Sequence, residues 1–187
     1  VEHWMERTHG IAILPSSFVR NPTVRAGVIA IALPFFYMGA VGILATPYLQ
    51  LVTGFTALQT GMLSLLSGIP MFLLATFLPK LAPHLSSRLI IRTGFIAIAI
   101  ACALMAFGVH AHGVTGTLFA GMALGGFGVG AVNSQSNNAV ACAVTRKEAE
   151  QSGGIQGAAR SIGLALGTAL AGTFLLLTMA GGFAAQA

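Results

Sequence analysis

Charged residues are almost absent from most of this 187-residue chain. From position 26 to the carboxyl terminus there are eight, of which seven lie in two short clusters at 80–92 and 146–150 and the last is Arg160. Lys, Arg, Asp and Glu make up 7% of the chain, whereas they make up about a quarter of a typical soluble domain. The long apolar runs therefore exclude an ordinary soluble fold and indicate helices embedded in lipid.

Five segments are apolar over about the 20 residues that a helix needs to cross a bilayer, or nearly so. The sequence thus predicts an all-α polytopic membrane protein with a cytoplasmic amino-terminal segment at 1–25 and a short tail at 184–187. The predicted spans are 26–49, 57–79, 89–109, 113–133 and 161–183.

The Lys and Arg residues alternate between the connecting segments. The segment before the first span and the loops after the second and fourth spans are basic, whereas the loops at 47–56 and 110–112 contain neither Lys nor Arg. Because cytoplasmic loops collect Lys and Arg, this pattern predicts a cytoplasmic amino terminus and an outer carboxyl terminus in the plasma (inner) membrane.

Small residues recur at four-residue spacing on the last two predicted spans. Gly121 and Gly125 do so on the fourth, and Gly163 and Gly167 lie in a longer series on the fifth. Such faces let helix backbones approach closely in lipid, so we expect these glycines at helix contacts. The alternative is that Gly and Ala are simply common in membrane helices.

Two stretches resemble signatures of one transporter family. The first joins the first two predicted spans and contains Tyr48, Gln50, Gly54, Gln59 and Gly61. The second begins at Asn137, Asn138 and Ala139 and continues, after a short charged loop, through Ser152, Gly153, Gln156, Arg160, Gly163 and Gly167. The residues and their spacing resemble the major facilitator superfamily, and most of all its branch of fourteen-helix drug:proton antiporters.

This resemblance implies the first five helices of the carboxyl-terminal six-helix half of a transporter, with the last helix missing. The odd number of spans also favours a fragment. The implied function is the export of lipophilic drugs or toxic compounds by proton antiport through alternating access, with the bilayer, the missing amino-terminal half, a small lipophilic substrate and protons as partners. Two alternatives remain open: a transporter of one specific metabolite, and a truncated membrane module that does not transport.

The chain departs from the family pattern in one loop. Pro83 and His84 stand where the cytoplasmic loop of this family has Asp-Arg. A cytoplasmic gate that depends on that aspartate is therefore in doubt for this half.

Four residues are candidates for an apolar substrate pathway, since counting to the centres of the first, second and fourth spans reaches them. Their aromatic and methionine side chains form large, adaptable apolar surfaces, and a tyrosine adds one hydroxyl. Packing against other helices or against lipid is an equally good interpretation for each. These residues are Phe36, Tyr37, Met71 and Phe127.

Three polar residues are further pathway candidates. Asn133 and Gln135 are the deepest members of the polar run at 133–138, which either faces a cavity or marks the end of the helix at the cytoplasmic boundary. Arg160 either faces a water-filled cavity or a partner in the other half, or extends to lipid phosphates.

No Asp or Glu lies in any predicted span. A proton antiporter needs a group that gains and loses a proton within the pathway, usually a buried carboxylate, so we expect the coupling carboxylate outside this chain. No catalytic set, phosphate-binding loop or metal-ligand pair is recognisable, which predicts no enzyme activity, cofactor or metal, and a solvated turn around His110 and His112. The few dispersed basic residues also argue against nucleic-acid binding.

Overall fold

The computed structural model describes residues 22–81, 86–110, 116–143 and 149–184. In these ranges the chain consists of helices and short connections and contains no strand. The elements are α1 (Pro22–Pro47), one π-helical turn (Tyr48–Val52), α2 (Ala57–Leu81), α3 (Ser87–His110), α4 (Gly116–Ala143) and α5 (Ala149–Ala184). All five α-helices contain a stretch long and apolar enough to cross a membrane. The predicted all-α class and the five apolar helices are thus confirmed.

Some predicted features lie outside the described residues. These are positions 1–21 of the amino-terminal segment, most of the tail at 184–187, the departure from the family pattern at Pro83 and His84, and His112.

Two helices extend beyond the predicted spans at their polar ends. The α4 helix continues from Asn133 to Ala143, and α5 begins at Ala149 rather than at Ser161. A span ends where the side chains become polar, whereas a helix continues while its backbone N–H and C=O groups pair with one another. The polar run at 133–138 therefore lies within a helix and does not end one.

The α4 helix lies at the centre of the bundle. It packs against α3, α2 and α1, whereas α5 packs almost entirely against α1 and touches α4 only slightly. The α4 helix is also the most buried of the five, while the others expose many large apolar side chains. Exposed Leu, Ile and Phe on long helices are what contact with lipid requires.

Close backbone contacts between α1 and α5 occur at glycines. The position that a Cβ of Gly163 would occupy lies against the carbonyl oxygen of Ala32, and that of Gly167 lies against the carbonyl oxygen of Phe36. The contact is reciprocal, because the corresponding position at Gly39 of α1 lies against the carbonyl oxygen of Leu164 on α5. No side chain larger than hydrogen fits at these crossings without moving a helix.

Glycines of α4 leave room for side chains or backbone of three neighbouring helices. A Cβ on Gly121 would lie 2.7 Å from Cγ of Met105 on α3. One on Gly125 would meet the ring and hydroxyl of Tyr37 on α1, and one on Gly126 would meet the backbone carbonyl of Ser67 on α2. Close approach on three sides is what brings α4 to the centre.

The connection between α1 and α2 explains part of the first signature. Gly54 has a φ of +72°, a left-handed conformation that residues with a side chain rarely adopt. Thr56 and Gln59 then start α2 with a capping box: the Thr56 N–H donates to Gln59 Oε1 at 2.9 Å, and the Gln59 N–H donates to Thr56 Oγ1 at 3.3 Å. Gln50 and Gly61 are exposed, and a Cβ at Gly61 would meet open space.

Candidate functional site

A cavity of about 690 Å³ lies between α1, α3 and α4. This volume is within the usual range of small-molecule sites, roughly 300–1,000 Å³. Apart from the hydroxyls of Tyr37 and Tyr48 and the thiol of Cys102, its side chains are apolar. The lining residues are Leu33, Phe36, Tyr37, Ala40, Val41, Leu44, Ala45, Tyr48, Leu49, Phe95, Ile98, Cys102, Met105, Ala106, Val109, Leu118, Met122 and Phe174.

A smaller cavity of about 280 Å³ lies between α1, α2 and α4, and it is more polar. Thr60, Ser64 and Ser67 of α2 line it. Each hydroxyl donates to the backbone carbonyl three or four positions earlier, at distances of 2.9–3.1 Å. Since a hydroxyl oxygen also accepts, these side chains offer acceptors to the cavity.

Tyr37 lies between the two cavities and lines both. Its hydroxyl lies 3.6 Å from Sδ of Met105 and donates to it. Its ring packs where a side chain at position 125 would otherwise lie, so Gly125 leaves room for it. Tyr37 therefore supplies the polar group at the boundary between an apolar and a more polar compartment.

The apolar pathway candidates do not all meet. Phe36 lines the larger cavity and Met71 the smaller one. Phe127 is 45% exposed and lines neither of these cavities. Its neighbour Gly126 faces α2 and Gly125 faces α1, so Phe127 points away from α1. Counting residues to the middle of a span gives depth but not the direction of the side chain.

The polar candidates form a separate group, on α4 and α5. Nη2 of Arg160 donates to Oδ1 of Asn137 at 2.9 Å, and Nδ2 of Asn137 donates to Oδ1 of Asn133 at 3.2 Å. The guanidinium carbon of Arg160 lies 5.5 Å from the ring centroid of Phe35 on α1. Arg160 thus contacts the neighbouring helices rather than extending along its own helix.

Three buried polar residues adjoin this group on α4. Ser134, Gln135 and Ser136 are 9%, 5% and 0% exposed. The Ser134 and Ser136 hydroxyls have no hydrogen-bond partner among the described residues. Asn133, Gln135 and Arg160 line neither of the two cavities, so the candidates divide into an apolar set and a polar set.

The structure adds lining residues that the sequence did not indicate. Phe95, Cys102 and Met105 bring α3 into the larger cavity, and Tyr48 of the first signature lines it too. Most residues along α3 are apolar, so hydropathy alone does not single out these side chains. Among the described residues, no three His, Cys, Asp or Glu side chains come together in a way that could hold a metal ion.

No family model and no solved structure significantly matches the chain. Two curated sequences do match it, both named Multidrug resistance protein Stp, from Mycobacterium tuberculosis strains CDC 1551 / Oshkosh and ATCC 25618 / H37Rv. The chain is similar to a multidrug resistance protein. Each alignment has 24% identity over 172 residues, which is 92% of this chain and 32% of the relative. The chain thus spans about a third of the length of these relatives, and the match and the five apolar helices together support a multi-pass membrane protein.

Proposed function

We propose that this chain is part of a secondary active transporter of the major facilitator type that exports lipophilic compounds. The observation that carries the proposal is the apolar cavity of about 690 Å³ between α1, α3 and α4. The alignment with a multidrug resistance protein, which covers 92% of the chain at 24% identity, supports it. On this proposal the chain is a membrane-embedded transporter component and not an enzyme.

The chemistry of the lining suits weak binding of varied apolar molecules. Aromatic rings and the thioethers of Met105 and Met122 adapt to different shapes. Burying about 200 Å² of apolar ligand surface contributes about 5 kcal/mol at about 25 cal/mol per Å², before the cost of association. A sugar would need many hydrogen-bonding groups, and the larger cavity offers few beyond Tyr37 and Tyr48.

Coupling to protons would use residues outside the described helices. The chain has four acidic residues, Glu2, Glu6, Glu148 and Glu150, and none lies in a predicted span. We therefore place the coupling carboxylate in a part of the protein that corresponds to the unmatched two thirds of the relatives. For alternating access, the five helices of this chain would belong to a carboxyl-terminal half that faces an amino-terminal half. The amino terminus of the chain would then be cytoplasmic.

The test is efflux of a lipophilic dye from cells that express the protein containing this chain. Cells are loaded with ethidium, and the rate of dye loss is measured with and without a protonophore. Phe36→Ala removes a ring that lines the larger cavity, and Phe127→Ala removes an exposed ring that does not. We expect several-fold slower efflux for Phe36→Ala and an unchanged rate for Phe127→Ala at equal protein level.

Each other result identifies which part of the proposal fails. Equal effects of the two substitutions would show that the larger cavity is not part of the substrate pathway. Efflux that persists after the proton gradient has collapsed would refute proton antiport. Transport of a single compound would favour the specific-metabolite alternative, and correct insertion without any transport would favour a non-transporting module.

A further inference from the structure

Arg160 is a charged side chain inside the apolar stretch of α5. It lies seven positions after the start of the apolar stretch Gly153–Ala180 of α5, about 10 Å along the helix. A charge within the hydrocarbon region is stable only when it is paired, hydrogen-bonded or reached by water. The partners of Arg160 therefore decide what this position does.

The described partners of Arg160 are neutral. Asn137 accepts one hydrogen bond from Nη2, and Phe35 lies beneath the guanidinium. Nε of Arg160 is buried and has no hydrogen-bond partner among the described residues. A guanidinium has five N–H donors, so these contacts leave both its charge and its Nε–H uncompensated.

No acidic side chain is described beside Arg160. Glu150 is the nearest acidic residue along α5, ten positions before Arg160, which places its Cα about 15 Å away along the axis. None of the four acidic residues of the chain has a described side chain, so the described contacts contain no counter-anion for Arg160.

Arg160 lies between two helices that make few contacts with each other. The α4 and α5 helices scarcely touch each other, and both rest on α1. Arg160 spans this groove from α5 to Asn137 on α4, above Phe35 of α1. Asn133 continues the hydrogen-bonded row along α4, so the groove has a positive charge with amide groups at its side.

The geometry points to a carboxylate-binding site centred on Arg160, with Asn137 and Phe35 as positioning residues. A carboxylate accepts two N–H groups from one guanidinium, and the Nε–H that now lacks a partner is one of the donors that this fork uses. The carboxylate belongs either to a bound ligand or to a part of the polypeptide outside the described side chains. The inference does not depend on drug export, because it rests on the surroundings of Arg160 and not on what the protein carries.

The first experiment tests a ligand carboxylate on the intact protein, purified in an uncharged detergent. Binding of pyrenebutyrate is compared with binding of pyrenebutanol, which has the same ring and chain without the charge. We expect the unsubstituted protein to bind pyrenebutyrate at least tenfold more tightly than pyrenebutanol. Arg160→Gln should abolish this preference and leave the affinity for pyrenebutanol unchanged. Arg160→Lys should keep part of the preference, because it keeps the charge but loses the fork.

Arg92→Gln is the matched control, since it removes the same charge from an exposed position on α3. It should leave the tenfold preference intact. A preference lost equally in Arg92→Gln and Arg160→Gln would mean that net charge alone attracts the anion, which would overturn the site.

The second experiment tests a carboxylate of the polypeptide by thermal unfolding between pH 7 and about pH 2, so that the range extends below the usual carboxyl pKa. Pairing with Arg160 lowers the pKa of a carboxyl group, so its stabilisation is present above the usual pKa of about 4 and is lost as the pH falls below it. We expect a difference of several degrees in Tm between the unsubstituted protein and Arg160→Gln at pH 7, which shrinks on acidification.

A positive result in either experiment supports the site and identifies its source. The inference is overturned if the protein shows no Arg160-dependent preference for pyrenebutyrate and the Tm difference does not depend on pH. It is also overturned if only anionic lipid, added as phosphatidylglycerol, responds to Arg160→Gln. Dye efflux is not a readout in any of these tests, so their failure is distinguishable from failure of the proposed function.

Discussion

Replacing Gly167 by Leu should separate α5 from α1. A Cβ at this position would lie 2.8 Å from the carbonyl carbon of Phe36 and 3.0 Å from its Cα, and also against its carbonyl oxygen. These atoms are backbone, so no rotamer change relieves the contact, and α5 must move outward by roughly 1 Å or more to reach ordinary van der Waals separation. Overpacking of this kind typically costs about 1–3 kcal/mol, and we expect the upper end here because several side-chain carbons follow the Cβ.

The matched control is Gly157→Leu on the same helix. Gly157 is exposed, and a Cβ there would meet nothing within 4 Å. Leu is among the best helix formers and Gly among the poorest, a difference of nearly 1 kcal/mol, so helix propensity favours both substitutions. Only the steric contact differs between the two positions.

The assay is the free energy of unfolding of the purified protein in mixed detergent micelles, titrated with SDS. We expect Gly167→Leu to lower it by about 3 kcal/mol and Gly157→Leu to change it by less than about 1 kcal/mol. Equal losses in the two variants, or a Gly167→Leu variant as stable as the unsubstituted protein, would refute the argument that close backbone packing at Gly167 holds α5 to α1.

Two further substitutions test the local structure that surrounds the larger cavity. Gly54→Ala should lower the free energy of unfolding by about 1 kcal/mol, because φ is +72° at this residue and a Cβ disfavours that conformation; an unchanged unfolding free energy would show that the turn before α2 relaxes freely. Tyr37→Phe should lower the free energy of unfolding by less than about 1 kcal/mol, since the Met105 sulfur is a weak acceptor. It should reduce efflux of compounds that carry a hydrogen-bonding group more than efflux of hydrocarbon-like dyes. Equal reduction for both would show that the hydroxyl does not take part in recognition.

The candidate site was only partly predictable from the sequence. Phe36, Tyr37 and Met71 line the cavities because depth in a span can be counted, but Phe127, chosen in the same way, points away from both. Met105 lines the larger cavity and accepts a hydrogen bond from Tyr37, which lies 68 positions earlier in the sequence. No local pattern carries such a pairing.

The glycines show the same division. Their four-residue spacing predicts that some face packs closely, but only the structure shows which helix each glycine meets. Gly121 meets α3, whereas Gly125, Gly163 and Gly167 meet α1. In lipid the apolar side chains of a helix are equally stable on its packed and its lipid-facing sides. Hydropathy therefore does not indicate which side is inside.

The sequence by itself determined the class of this protein, the number of its apolar helices and the small residues that allow them to approach. Those are local properties, set by the free energy of placing each segment in hydrocarbon. Only the tertiary structure decided that α4 is central, that α3 contributes to the larger cavity, and that Arg160 bridges from α5 to Asn137 over Phe35. These outcomes depend on contacts between segments distant in the chain, and in a bilayer such contacts arise from steric fit and hydrogen bonding rather than from the burial of apolar surface.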